Sequence, residues 1–269
     1  MLWIGTIESG GLAPDDALVV SAADRGFTVG EGVFETLTVR AGSPFALERH
    51  LQRLLGSAGI LGLPVPHLEV VRDGIRALLQ ADASRIGALG RLRITYTAGA
   101  HPGQPTLLIT CVPLAPLPAV TTAITSRFVR NERSATVGAK TVAYVENLVA
   151  LREASAVGAT EAIMGNTQGR LCEGSASNVI VVIDGEPLTP SLASGCLPGV
   201  TRSLAIEWLG VREADLPLQV LETAGEILLT SATRGIQALA RLDDRALAPA
   251  RIGAELRSRF EARIALGDA

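Results

Sequence analysis

Lys140, in the stretch GAKTVAYVENLVALREA, is the residue whose type and setting most invite chemistry. Gly138 and Ala139 precede it and leave room around its side chain, and it is one of very few lysines in a chain whose positive charge is almost all arginine. From Tyr144 onward, Tyr144, Leu148, Leu151 and Ala154 recur at three- and four-residue steps, the period of one helix face. A lysine covered by folded chain just before that helix is disfavoured as an ammonium ion by burial and by the positive end of the helix dipole. As a neutral amine it attacks carbonyl groups. The plainer reading of the same residues is a surface lysine preceding a helix.

Three further places hold candidate groups. Glu173 lies between predicted strands, and its small neighbours Gly174, Ser175 and Ala176 leave space for a flat ring. Pro198-Gly199 turns the chain into a predicted helix whose first amides, at Val200 and Thr201, converge where an anion gains from the dipole. The turn Ser231-Ala232-Thr233 adds hydroxyls and amides. Taken singly, Ser or Thr before a helix is an ordinary cap, and a carboxylate between strands is ordinarily solvated. His50, His67 and His101 are scattered, so neither a metal site nor a histidine-based triad is expected.

The elements that must position these groups follow from periodicity. MLWIGTIES and ALVVSAADRG read as short strands joined by a Gly-Gly-Leu-Ala-Pro-Asp turn. FTVGEGVFETLTVRAGSPFAL alternates, with a hairpin turn at Ala41-Gly42-Ser43. Leu47, Leu51, Leu54, Leu55 and Ala58 then share a helix face, HLEVVRDGIRALLQAD is a second amphipathic helix, and GRLRITYTAG and PTLLITCVPL are strands. Beyond Lys140, EAIMGNTQGRLCEGSASNVIVVIDGEPLTP divides at its turn residues into short strands read as a meander. LPGVTRSLAIEWL begins a helix, TAGEILLTSATRGIQALARLD is strand, turn, strand, and ARIGAELRSRFEARI is a closing helix. The fold class is α+β or α/β in layers. Pro113, Pro116 and Pro118 mark a boundary, giving an N-terminal domain at 1–115, a linker at 116–120 and a C-terminal domain at 121–269.

Composition narrows the class. The 269 residues, nearly half of them hydrophobic and 28 of them glycine, suit a globular protein with many tight turns. A net charge of −3 offers no basic field for nucleic acid or anionic membrane. Cys111, Cys172 and Cys196 show no CxxC spacing, no signal peptide is evident, and no apolar run approaches membrane-spanning length; a cytoplasmic, reduced protein is expected.

Together, DRGFTVGEGVFETL, HLQRL followed by SA, the lysine stretch ending in EA, GRLCEGSASNVIVV, LTP and LPGVTR occur in an order and at spacings that resemble one family nearly end to end. The chain is similar to the class IV aminotransferases, pyridoxal-phosphate enzymes of fold type IV. They include branched-chain aminotransferases, D-amino acid transaminases, (R)-amine transaminases and 4-amino-4-deoxychorismate lyases. The resemblance implies a smaller N-terminal α/β domain and a larger C-terminal pseudo-barrel domain. It also implies pyridoxal 5'-phosphate as cofactor and a homodimer with its active site near the subunit interface.

Carried over by position, the resemblance makes Lys140 the Schiff-base lysine and the base that moves the Cα proton. Glu173 becomes the partner of the pyridine nitrogen, and Arg53 a phosphate ligand. Tyr144 faces the phenolic oxygen, and Val200, Thr201, Ser231, Thr233 and the amide of Ala232 complete the phosphate cup. Substrate choice is less determined. Phe34 stands where D-amino acid transaminases carry a tyrosine of their carboxylate trap, and ITYTAGAHPG lacks the trap's arginine. Arg91 and Arg93, on one strand face, are replacement candidates or else exposed edge charges. Arg25 is a further candidate or a turn-stabilising residue. The expected reaction is transamination between an amino acid, D-configured donors favoured and (R)-amines admitted, and a 2-oxo acid. The alternative is the lyase that forms 4-aminobenzoate and pyruvate, to which VFETL and Thr233-Arg234-Gly235 bear some likeness. A non-catalytic cofactor-binding member is a third reading, disfavoured because lysine and glutamate are both present.

Overall fold

The computed structural model describes residues 1–267. Its contacts divide the chain into two compact units: Met1–Pro116 with Ala139–Ala143, and Leu117–Gly138 with Tyr144 onward. The division assigns the five residues around Lys140 to the first unit, where the 1–115 and 121–269 expectation assigns them to the second. The reason is backbone pairing: Thr141 bridges Val33, the amide of Phe34 donates to the Lys140 carbonyl at 2.9 Å, and the amide of Val142 donates to the Gly32 carbonyl at 2.9 Å. Among the described residues no helix is long and apolar enough to cross a membrane.

In the first unit the elements are β1 (Leu2–Gly5), β2 (Gly10–Ala13), α1 (Arg25–Thr28), β3 (Gly32–Arg40), β4 (Ser43–Pro44), α2 (Leu47–Ile60), α3 (Leu68–Ala81), α4 (Ala83–Ile86), β5 (Leu89–His101) and β6 (Gln104–Pro113). The six strands form one antiparallel sheet in the order β2-β1-β6-β5-β3-β4. Period-two alternation turns Val33, Leu37 and Val39 of β3 and Leu92, Ile94 and Tyr96 of β5 into the core. They pack there with Leu51, Leu54 and Ala58 of α2 and Val71, Ile75 and Leu78 of α3. The expected strand at ALVVSAADRG is absent: Leu18 is fully exposed, and the second strand is instead the Gly10–Ala13 segment read as a turn. The turn sits earlier, closed by the Thr6 amide on the Ser9 carbonyl, and so places Leu2 opposite Ala13.

The second unit contains β7 (Val120–Thr125), α5 (Val145–Ala156), β8 (Glu161–Gly165), β9 (Leu171–Gly174), β10 (Asn178–Ile183), β11 (Glu186–Pro190), α6 (Val200–Leu209), β12 (Arg212–Ala214), α7 (Val220–Thr223), β13 (Glu226–Ser231), β14 (Gly235–Leu242), β15 (Arg245–Ala246) and α8 (Arg251–Leu266). Its nine-stranded sheet runs β12-β11-β10-β13-β14-β7-β8-β9, with β15 on β14. The expected meander from β8 to β11 is therefore two separate hairpins. Parallel pairing of β7 with both β14 and β8 inserts three strands between them. Alternation within each strand is the same in either topology, so periodicity does not distinguish them.

The helix after Lys140 also differs from expectation. It starts at Val145, five residues beyond the lysine, and a helix dipole acts only over its own first turn. Its buried residues are Asn147, Ala150 and Ala154, whereas Leu148 is 43% exposed. The small alanines pack with Ala159, Ala162 and Met164, a close approach that a leucine face would prevent.

Candidate active site

Each unit holds a cluster of charged groups. In the first, α2 carries His50, Arg53 and Ser57 at steps of three and four, hence on one face. Glu35 falls in the same period-two series as Val33, Leu37 and Val39 of β3, so its carboxylate enters the core and is 0% exposed. Arg53 meets it through two hydrogen bonds, Nε to Oε1 at 2.8 Å and Nη2 to Oε2 at 2.7 Å. His50 Nδ1 adds a third contact, 2.7 Å from Oε2. Burial alone would push the Glu35 carboxyl upward. The charge of Arg53 and the hydrogen bonds from Arg53 and His50 outweigh it and hold the group down at about 2. Burial lowers the His50 ring below its ordinary value, so at neutral pH it serves as a neutral Nδ1–H donor. Arg53 is thus a fixed guanidinium, its fork anchored from behind by a carboxylate.

One turn further along α2, Ser57 Oγ accepts the backbone amide of Lys140 at 3.1 Å. The same helix therefore positions both Arg53 and Lys140. The Lys140 amine lies 4.3 Å from the centre of the Phe34 ring, and the Arg93 guanidinium stacks on that ring at 3.8 Å. Arg93 Nε also donates to Thr95 Oγ1 at 3.1 Å, which fixes the plane of the fork. Arg91 shares this face but is exposed, and the edge-charge reading fails for both arginines because β5 is flanked by β3 and β6. Arg25 is turned elsewhere: its side chain is 57% exposed and pairs with Glu31. The residue that organises its turn is buried Asp24, which caps α1 through the Gly26 amide at 2.8 Å and accepts from the hydroxyls of Thr97 and Thr106.

The second cluster centres on Glu173, at the end of β9 and only 6% exposed. Arg130 Nη2 lies 3.0 Å from Oε1, and the backbone amide of Leu197 donates to Oε2 at 2.8 Å. The Leu197 carbonyl in turn accepts from Asn178 Nδ2 at 2.8 Å, so Glu173 is tied to the lead-in of α6. The solvated-carboxylate reading fails here. Gly174 does not leave space for a ring either: a Cβ there would meet Ser177 Oγ at 2.3 Å and Glu161 at 3.1 Å. The Ser175 carbonyl accepts from Tyr144 Oη at 2.9 Å and from Asn147 Nδ2 at 2.7 Å, fixing the tyrosine ring beside the Glu173 loop.

Two stretches of backbone amides complete this cluster. The α6 helix begins at Val200 and Thr201, both buried, and its cap is Gly199, which brings no side chain to satisfy the first-turn amides. Glycine is required there because a Cβ would fall 1.9 Å from Asn178 Oδ1. Ser231, Ala232 and Thr233 lie between β13 and β14, half-exposed, with Ser231 Oγ accepting the Arg234 amide at 3.2 Å. Burial pushes all three cysteine thiols above their ordinary range, so none is a thiolate nucleophile.

Sequence reasoning missed Glu35, His50, Arg130 and Glu161. A charged residue interrupting the apolar alternation of β3, with His and Arg one turn apart on the next helix, was the available signal for the first two. It also understated Lys140, which is the chain's only lysine.

The second cluster, with uncapped helix amides and a buried carboxylate held by arginine, suits a ligand with a phosphate and a basic ring nitrogen, and the first offers a fixed guanidinium and a primary amine. Comparison with known proteins agrees. The amino-transferase class IV family model matches residues 32–242. A bifunctional aminodeoxychorismate lyase / D-amino acid transaminase of Mycobacterium tuberculosis is 30% identical over 225 residues, covering 77% of this chain and 78% of that protein. The structure of a fold IV-transaminase from Curtobacterium pusillum superposes with a TM-score of 0.88 at 28% identity, covering 99% of both chains. A hypothetical aminotransferase of Mycobacterium tuberculosis in its PLP-bound form gives 0.88 at 27% identity over 99% of this chain and 100% of that one. The form of that protein bound to alpha-ketoglutarate and PMP gives 0.89 at the same identity and coverage.

Proposed function

The chain belongs to the amino-transferase class IV family, and from that premise we propose that it is a pyridoxal-phosphate-dependent transaminase. It would move an amino group between an amino acid, D-configured donors favoured, and a 2-oxo acid, acting as a homodimer in the cytoplasm. Glu173 carries the reading. A carboxylate buried against Arg130 and a backbone amide is held charged and in place, as a cationic ring nitrogen requires.

When bound, pyridoxal phosphate supplies an electron-withdrawing ring that delocalises the charge left at the substrate Cα. The chain's own residues do the rest. The Lys140 amine would hold the cofactor aldehyde and, once released by the incoming substrate amine, would be the base that moves the Cα proton. Glu173 would keep the ring nitrogen positive, and Tyr144, whose hydroxyl donates to the Ser175 carbonyl, would face the phenolic oxygen. Phosphate oxygens would be bound by Arg53, anchored by Glu35, in the first unit, and in the second by the amides of Val200, Thr201 and Ala232 and the hydroxyls of Thr201, Ser231 and Thr233. Of the arginine candidates, Arg93 suits the substrate carboxylate, since its guanidinium and the Lys140 amine both contact the Phe34 ring.

The lyase is the second reading, favoured by the name of the Mycobacterium tuberculosis relative. The purified protein loaded with pyridoxal phosphate, given D-alanine, should convert its aldehyde absorbance to that of pyridoxamine phosphate and release pyruvate, and 2-oxoglutarate added afterwards should restore it. No half-reaction with any D- or L-amino acid, alongside 4-aminobenzoate formation from aminodeoxychorismate, would reverse the ranking. Borohydride reduction and peptide mapping should tag Lys140, and Lys140→Ala should lose the long-wavelength absorbance while remaining folded.

A further inference from the structure

Glu161, the first residue of β8, is 0% exposed, and the roles assigned above leave it unused. Its Oε1 accepts from the Ser175 hydroxyl and from the Ala176 amide at 3.3 Å, and its Oε2 accepts from Ser177 Oγ at 2.8 Å. One carboxylate therefore binds three successive residues of the segment that follows Glu173. The Ser175 carbonyl at the middle of that segment is what Tyr144 and Asn147 hold. Of the segment's other ties, Ser175 N to the Ala162 carbonyl at 2.8 Å holds it on β8, and Gly174 N to the Ser177 carbonyl at 2.7 Å closes it on itself.

The Oε2 atom that accepts from Ser177 also faces Arg234, whose Nη2 forms a long ion pair with it at 3.9 Å and donates to the adjacent Thr160 carbonyl at 3.0 Å. Arg234 ends the Ser231-Ala232-Thr233 turn, and its own amide donates to Ser231 Oγ. Its Nη1 donates to Gln237 Oε1 at 2.6 Å, which locks the side chain over the start of β14. A buried carboxylate is expensive unless its acceptor positions are filled, and these partners come from two loops far apart in sequence.

We propose that Glu161 is a positioning residue that joins two cofactor-facing loops, fixing Tyr144 through Ser175–Ser177 and the 231–233 turn through Arg234. This deepens the transaminase reading and rests on it for the word cofactor; the coupling itself rests only on contacts within the second unit. An isosteric amide at 161 turns a donor toward Ser175 and Ala176 or toward Ser177, and in either orientation removes the charge that faces Arg234, so a correct junction is disturbed on both loops at once.

The test uses the full-length protein as wild type, Glu161→Gln, Glu161→Asp and Arg234→Met, each checked for folding by circular dichroism. Amide hydrogen exchange is measured without cofactor, and pyridoxal-phosphate affinity and absorption maximum by titration. In Glu161→Gln, exchange should quicken both in 174–177 and in 231–234. Pyridoxal phosphate should bind roughly tenfold more weakly, as expected for one lost hydrogen bond to a charged group, with a shifted absorption maximum. Arg234→Met should weaken binding similarly and leave the maximum unchanged, and Glu161→Asp should recover part of both. A lowered Tm with wild-type affinity and absorption maximum, or quickened exchange in 174–177 alone, would overturn the junction. If Glu161→Gln does not fold, Arg234→Met decides by the same exchange and affinity readings. Wild-type protein that takes up no pyridoxal phosphate would sink the cofactor reading, and the exchange data would still decide the coupling.

Discussion

The two units solve the same electrostatic problem with opposite signs. In the first, a carboxylate at the core, Glu35, holds an arginine, Arg53, in place. In the second, an arginine, Arg130, holds a carboxylate, Glu173. A buried charge persists only with a partner, so each unit spends one charged residue to fix another. The pairs differ in depth. Glu35 is fully enclosed and also engages His50, whereas the Arg130 side chain retains 20% of its exposure and Glu173 relies on a backbone amide for its second contact.

Depth should set the size of the response. Glu35→Gln strands Arg53 and His50 in an apolar site and should cost about 3–5 kcal/mol in urea denaturation, with pyridoxal-phosphate retention falling in parallel. Arg130→Met should cost about 2 kcal/mol, because water reaches part of the site and the Leu197 amide stays. Equal losses in the two variants would break the comparison.

Acid should sharpen it. Glu35 has its folded value held at about 2 against an ordinary 4.5, so its contribution is present above pH 4.5 and drains away toward pH 2. His50 is lowered from 6.5, so the unfolded chain takes up its proton first and stability begins to fall below pH 6.5. Stability measured across this range should decline less steeply in the double variant Glu35→Gln/His50→Gln than in wild type. The smallest effect should come from Ser57→Ala, about 1 kcal/mol by thermal denaturation, because only one neutral hydrogen bond to the Lys140 amide is removed.

Local pattern carried the reading a long way where neighbours in sequence are neighbours in space. The helices at Leu47–Ile60, Leu68–Ala81 and Val200–Leu209 lie where apolar periodicity put them, and Pro198-Gly199 does lead into a helix with uncapped amides. It failed where the burying surface comes from elsewhere. Leu148 looks like a core residue by spacing, yet β8 offers room only for alanines. The segment ALVVS has a strand's composition but no ladder to join, and the Gly-Gly segment pairs because β1 lies alongside it.

The sequence by itself determined the chemical inventory: one lysine in the chain, an acidic residue among small ones at 173, amides at the start of α6, and the order of motifs that marks the family. Tertiary structure alone decided which charges are paired. Glu35 with Arg53, Arg130 with Glu173 and Glu161 with Arg234 are separated by 18, 43 and 73 positions. The physical reason is one of range. Periodicity reports which face of an element avoids water, whereas the protonation and aim of a buried charge depend on its partner, and that partner is supplied by a different element of the fold.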